Sequence, residues 1–303
     1  MDLTALGELL IDYTPAGQSG RGMPLLEQNP GGAPANVLVT AARLGMKTAL
    51  VARVGQDGQG AFLRRALERE GVDLRGLSED QEVFTTLAFV ELLEGGERRF
   101  SFARKPGADT RLAPEHIPAG LIEESRVLHL GSLSMTAEPA RSATREAVSR
   151  AKAAGRLVSL DVNWRPLLWP DEGEAVGYMT ELLEGADLVT LSEEEALLLT
   201  GEREPERAAE AVLRRGPRLC AVTLGAEGAL LAAGEKRVRV PAEPGPVVDT
   251  TGAGDAFWGG LLTRFLQKDL DASPKPLNEA ALTDLARFAA HEAAKCVAHR
   301  GAF

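Results

Sequence analysis

The chain has 303 residues, is 44% hydrophobic and 26% charged, and carries a net charge of −10. A chain this long can bury roughly 75% of its unfolded surface, so a large core is available. The negative balance argues against a non-specific binder of nucleic acid or of an anionic membrane, because neither is drawn to a net negative surface. Cys220 and Cys296 lie in apolar runs outside any CxxC pair, which reads as reduced thiols in a cytoplasmic protein. The first residues, MDLTALGELLIDYTPAG, lack the basic start and small-residue cleavage site of a signal peptide. No apolar run approaches the roughly 18 residues of a membrane span.

In chain order, TALGELLI (4–11) reads as a strand, followed by a Pro/Gly-rich stretch, Tyr13–Gly32. Pro34–Leu44 has helical apolar spacing, with Pro34 suited to a first turn and Gly45 behind it as a helix terminator. TALVARVG (48–55) reads as a strand and Gly60–Glu70 as a helix ended by Gly71. Phe84–Ala103 breaks the rhythm: two strands joined by a Glu-Gly-Gly-Glu turn. RVLHLGSL (126–133), RLVSLDVN (156–163) and DLVTLS (187–192) read as strands alternating with helices at Pro139–Ala154 and Ala175–Leu183. After a helix at Pro205–Arg215 come LCAVTLG (219–225), GALLAA (228–233) and KRVRV (236–240), then an Ala-rich helix at Leu282–Ala298. This alternation predicts an α/β fold, a doubly wound and mainly parallel sheet with helices on both faces. The hairpin and Tyr13–Gly32 are expected to form a small β lid over the strand carboxyl ends, where such sheets bind ligands.

The stretch VVDTTGAGDAFWGGLL (247–262) carries the sharpest chemical signal. It is no Walker A loop, because no Gly-Lys-Ser/Thr follows, and its spacing fails the dinucleotide fingerprint. The residues after Asp255 have helical spacing, which places Gly252–Asp255 at a helix N-terminus. Free N–H groups there can hold an anion, and glycine lets the backbone approach closely. Asp255 reads either as a first-turn acid, which helices favour anyway, or as a general base beside an anion hole. Phosphorylation of an alcohol needs that second pairing.

Together with that loop, PGGAPANVLVTAARLG (30–45) and ALVARVGQDGQG (49–60) resemble, in order, the two signatures of the ribokinase-like (PfkB) family of carbohydrate kinases, and within it the fructokinases. The resemblance spans essentially the whole chain. It implies one ribokinase-like domain over 1–303, with a lid contributed by about 12–30 and 83–105. It further implies ATP, Mg²⁺ and a small-molecule sugar, leaves activation by K⁺ open, and allows a homodimer through the lid. The implied reaction moves the γ-phosphate to a sugar hydroxyl, with fructose to fructose 6-phosphate first. Kinases of 2-keto-3-deoxygluconate, ribose or a nucleoside are alternatives of the same chemistry, and a non-catalytic sugar sensor is one of a different class.

Residue by residue, the resemblance makes Asp255 the base and the N–H groups of Gly252, Ala253 and Gly254 the anion hole. Arg165, in DVNWRPLLWP, resembles a clamp on the transferring phosphate, with a surface ion pair as the plain alternative. Asn163 would orient the site behind it. Asp12, Gly31, Gly32 and Asn36 resemble the sugar-binding positions, and an amide suits a polyol because it both donates and accepts. Arg104, in FSFARKPGAD, resembles a lid residue reaching the sugar, although Ala103 stands where fructokinases often have an aromatic. In LSEEEALLLTG, Ser192 replaces the usual Asn, and Glu195 is implied to hold hydrated Mg²⁺. The same Ser-x-x-Glu also reads as a capping box, and the two readings are compatible. Thr223, Gly225 and Gly228 resemble nucleotide contacts or, read plainly, a hairpin. His291 falls at the adenine side or is simply a helix-face histidine. Asp249 and Thr251 match positions that help bind a monovalent cation.

Overall fold

The computed structural model describes residues 1–92, 98–272 and 276–302. Its strands are β1 (Leu3–Leu6), β2 (Leu10–Gln18), β3 (Pro24–Gly31), β4 (Thr48–Gly55), β5 (Asp73–Asp80), β6 (Leu87–Leu92), β7 (Arg98–Ala103), β8 (Val127–Gly131), β9 (Leu157–Asp161), β10 (Leu188–Ser192), β11 (Leu219–Thr223), β12 (Ala229–Ala233) and β13 (Lys236–Val240). The α-helices are α1 (Ala33–Arg43), α2 (Gly58–Arg69), α3 (Ala140–Ala153), α4 (Glu172–Gly185), α5 (Glu193–Thr200), α6 (Pro205–Leu213), α7 (Ala253–Gln267) and α8 (Glu279–Val297).

The large sheet has the order β13-β12-β11-β10-β9-β8-β1-β4-β5. From β11 across to β5 every described pair is parallel, while β12 and β13 form an antiparallel edge. Alternate residues of each central strand enter opposite cores, because side chains alternate faces along a strand. Val189 and Leu191 of β10 join the core under α3–α6, whereas Leu188 joins the core under α1, α2, α7 and α8. Both faces are covered by helices, as the alternating sequence pattern predicts. No helix among the described residues is long and apolar enough to cross a membrane.

TALGELLI is not one strand. The chain leaves the large sheet after Leu6, turns through Gly7-Glu8-Leu9, and enters a separate sheet of order β3-β2-β6-β7 at Leu10. Tyr13–Gly32, a Pro/Gly-rich stretch expected to join the hairpin in a small β lid, supplies β3 and most of β2. The β6–β7 pairing is antiparallel, as the hairpin reading has it. The Glu-Gly-Gly-Glu turn itself lies outside the described residues.

Helix α7 is locked to the centre of the large sheet. Trp258 is fully buried and donates from Nε1 to Ser159 Oγ of β9 at 2.8 Å. Helix α1 crosses α7 at Gly259, where an added Cβ would meet the Val37 carbonyl oxygen at 2.8 Å and Thr40 Cβ at 2.9 Å. The absent side chain therefore sets the spacing between the two helices. Gly259→Val should destabilise the fold by about 2 kcal/mol or more, the cost of overpacking a tight contact. Thermal melting checks this, and turnover should fall with it, because α1 and α7 each carry one half of the pair described next.

Candidate active site

A cavity of about 630 Å³ opens at the carboxyl ends of the parallel strands, with the small sheet on its other side. Its wall brings together Asp12, Gly32, Asn36, Asp161, Asn163, Arg165, Ser192, Glu195, Thr223, Asp249, Thr251 and Gly252–Asp255. Ligands bind there in open α/β sheets because loops from neighbouring strands diverge and leave a crevice.

The floor is built by glycines. Gly32 caps α1 at φ 112°, and a Cβ there would meet the Glu8 carbonyl oxygen at 2.5 Å. Beside it, a Cβ on Gly31 would collide with the Asp12 carboxylate. Only glycines let the turn into α1 pass this close to β2. One turn into α1, Asn36 is buried and donates from Nδ2 to Asp255 Oδ2 at 2.6 Å. Its Oδ1 is buried without a protein partner. An unpaired amide oxygen in a cavity wall suits a hydroxyl-bearing ligand.

Gly252 starts α7 from the left-handed region, at φ 76°, a conformation that costs glycine little. Among the described residues the N–H groups of Gly252 and Gly254 have no protein acceptor, while that of Ala253 makes a long bond to the Thr250 carbonyl at 3.3 Å. The expected three-donor anion hole is thus two open donors and one already engaged.

Three acids raised above their ordinary range stand around this point. Burial raises Asp255 to about 6, opposed by the Asn36 hydrogen bond and the charge of Arg165. Burial and then the charge of Asp255 raise Asp12 to about 6. Asp161, at the end of β9, is pushed well up by burial and by Glu195 and Asp255, with Arg165 opposing. Arg165 is exposed and lines the cavity, and among the described residues its guanidinium bonds only to the Trp164 carbonyl, at 3.0 Å.

Glu195 is buried and does form the capping box. Oε2 accepts the Ser192 N–H at 2.7 Å, and Oε1 accepts the Trp164 N–H at 2.6 Å. It therefore ties the start of α5 to the loop that carries Arg165. A carboxylate has about four acceptor sites, so two remain. Among the described residues no three acids, histidines or cysteines converge to grip a metal directly. The donors here fit a hydrated cation held through its waters. Asp249 takes the Thr251 N–H and hydroxyl at 2.9 and 2.7 Å and the Gly301 N–H at 3.3 Å.

Gly31, Arg104, Gly225, Gly228 and His291 stand outside the lining of this cavity. The Arg104 guanidinium is buried, bonded to Asp109 at 2.8 Å, to Thr136 Oγ1 at 2.8 Å and to the Leu133 carbonyl at 3.0 Å. With its charge matched and its donors engaged, it supports the wall rather than reaching in. His291 lies on the exposed face of α8 against Glu243, at 2.9 Å, outside the cavity wall. Gly225 and Gly228 form the tight link between β11 and β12, so the hairpin reading describes their geometry, and of that segment only Thr223 lines the cavity. Glu8, Asp161, Arg300 and Gly301 line the cavity without having been singled out. An acid just past a short apolar strand was the available signal for Glu8 and Asp161; Arg300 and Gly301 carry none.

The sequence profile described as "pfkB family carbohydrate kinase" matches residues 2–303. The chain belongs to this carbohydrate kinase family. Fructokinase-1 of Oryza sativa subsp. japonica is 42% identical over 268 residues, covering 88% of this chain and 83% of its own. A double mutant of the fructokinase of Vibrio cholerae O395, solved with fructose, ADP and potassium ion, superposes with a TM-score of 0.87 at 36% identity, covering 100% of this chain and 94% of that one. The fructokinase of Xylella fastidiosa with bound ATP gives a TM-score of 0.89 at 33% identity, over 99% and 93% of the two chains. The fold, α/β with a separate small sheet, is the ribokinase-like one of these kinases.

The Asn36–Asp255 hydrogen bond stabilises the ionised carboxylate. Removing it in Asn36→Leu should move the acid limb of kcat upward by about half a unit to one unit, the equivalent of one ordinary hydrogen bond. A pH–rate profile of the variant beside the parent measures that shift.

Proposed function

We propose that this kinase transfers the γ-phosphate of ATP to a hydroxyl of fructose, giving fructose 6-phosphate. The observation that carries the reading is the head of α7: a half-buried carboxylate, Asp255, oriented by Asn36, beside open N–H donors at a helix N-terminus. Asp255 takes the hydroxyl proton as the sugar oxygen attacks. The new O–P bond forms as the bond from the γ-phosphorus to the β-phosphate bridging oxygen breaks, and ADP leaves with that electron pair. The N–H groups of Gly252 and Gly254 and the positive end of α7 stabilise charge on the transferring group. Arg165 is placed to neutralise phosphate oxygens. Mg²⁺, held through water near Glu195 and Asp161, would offset phosphate charge when bound.

Asp12, Gly31, Gly32 and Asn36 hold the sugar in this reading, and Thr223 lies on the nucleotide side. The sheet of β2, β3, β6 and β7 serves as the lid of a single domain. At and just before its strand β3, Met23, Leu25 and Leu26 are exposed, apolar side chains that suit contact with a second copy. Asp249, Thr251 and the C-terminal segment around Gly301 would house a monovalent cation. The unpaired cysteines are in keeping with a reducing cytoplasm. Fructose is favoured over a keto acid by the likeness to fructokinases, and the buried Arg104, matched by Asp109, offers no free charge to a carboxylate.

Asp255→Asn keeps the shape and removes the base. Its kcat should fall by about 10²–10⁴, in a coupled ADP-release assay with MgATP across fructose, ribose and 2-keto-3-deoxygluconate. Turnover close to the parent's would overturn the base, and turnover of the keto acid but not fructose would overturn the substrate. The pH dependence has a definite sign. With Asp255 raised to about 6, parent activity should fall as pH drops through 6. For stability the sign is opposite: a carboxyl raised on folding stabilises below its unfolded value and loses that contribution as pH rises through 6. Asp255→Asn should therefore narrow the difference in melting temperature between pH 5 and pH 8.

A further inference from the structure

Glu8 lies in the turn between β1 and β2, 3% exposed, in the cavity wall beside Leu10, Gly32, Ala33 and Asn36. Oε1 accepts the N–H of Ala33, the first residue of α1, at 3.2 Å. Oε2 is buried and has no hydrogen-bond partner among the described residues. Holding the start of α1 needs one acceptor, so the second oxygen is unexplained by the fold. A buried polar atom without a partner is destabilising, and here its residue stands in the wall of a ligand cavity.

The charged groups around Glu8 come from one neighbouring segment, 104–109. Arg104 is bound to Asp109, whose other oxygen takes the Thr86 hydroxyl. That pair is already neutral, so Glu8 has no cation of its own. Burial raises its carboxyl to about 7, Asp109 adding to the rise, while Glu8's own backbone, Arg104 and the Ala33 hydrogen bond oppose it. A neutral carboxyl with Oε1 accepting from Ala33 carries its proton on Oε2, where it is a donor. Asn36, on the same wall, offers the complementary orphan, an acceptor at Oδ1.

We propose that Glu8 is a sugar-binding residue, its uncharged carboxyl donating from Oε2 to an oxygen of the bound sugar while Asn36 Oδ1 accepts from a hydroxyl. This deepens the reading of the cavity as a sugar site and rests on it. The residue sets affinity for the sugar rather than the rate of phosphoryl transfer. Ionisation removes the donor, so sugar binding weakens as pH rises through about 7.

The test compares the parent with Glu8→Leu and Glu8→Gln in steady-state kinetics at varied fructose and varied MgATP, from below to above neutral pH. Glu8→Leu should raise the fructose KM about tenfold, the loss of one buried hydrogen bond. Its kcat and its KM for ATP should stay within about threefold. Glu8→Gln keeps an acceptor and a donor, so its fructose KM should rise less than threefold. The climb in KM above neutral pH, present in the parent, should be gone. If all three proteins share one fructose KM, or if both variants lose kcat and both KM values together, the proposal is wrong. Should Glu8→Leu fail to fold, the parent and Glu8→Gln pH profiles decide alone: a parent KM flat from pH 6 to 8.5 overturns it. If the parent phosphorylates another sugar and not fructose, the substrate reading has failed, and the same comparison on that sugar still judges Glu8.

Discussion

A single hydrogen bond, Asn36 to Asp255, joins two helices whose residues are 219 positions apart. Much of the architecture serves that contact. Gly32 turns the chain into α1 so that Asn36 arrives one turn later. Gly252 turns it into α7 so that Asp255 stands in the first turn. Gly259 lets the two helices approach, and Trp258 anchors α7 to Ser159 on β9. The sheet between them is rigid because it is buried on both faces, so the two ends of the chain hold one fixed geometry.

That geometry is expensive. Asp12, Asp161 and Asp255 are gathered where the parallel strands end; burial holds each carboxyl above its ordinary value, and the charge of Asp255 raises Asp12 and Asp161 further. Arg165, the cation that opposes all three, is exposed and, among the described residues, bonded only to a neighbouring carbonyl. The protein thus keeps a cluster of negative charge in a cavity that would receive a more negative ligand. Such a site gains from cations that arrive with the ligand, and it stores the kind of strain that fold stability elsewhere must offset. A fixed arginine pair would relieve the acids and hold their protons off at low pH, but it would also weaken Asp255 as a base.

The layers of the fold were legible because alternating strands and amphipathic helices follow from burial alone. The loop at Gly252–Asp255 was legible because glycines at a helix start have few other physical uses. What escaped was long-range. TALGELLI looks continuous, and only the second sheet pulling at Leu10 explains why it breaks at Gly7. Arg104 sits in a strand-end motif that suggests reach into a site, yet its direction is set by Asp109 and the Leu133 carbonyl, which local sequence cannot rank. Glu8 and Asp161 look like ordinary strand-end acids until the sheet order places them on one wall. Arg300 and Gly301 join the cavity through the return of the chain end toward Asp249.

The central claim is that Asp255 is a half-buried carboxyl poised to exchange a proton near neutral pH. Its own titration tests this most directly. Carbon-13 NMR of aspartate-labelled protein, with Asp255→Asn used to assign the signal, reads the midpoint without any assumption about substrate. A midpoint near 6 that moves when Asn36 is changed is the expected result. A midpoint near 4, insensitive to Asn36, would mean an ordinary helix-start acid and would contradict the role given to it.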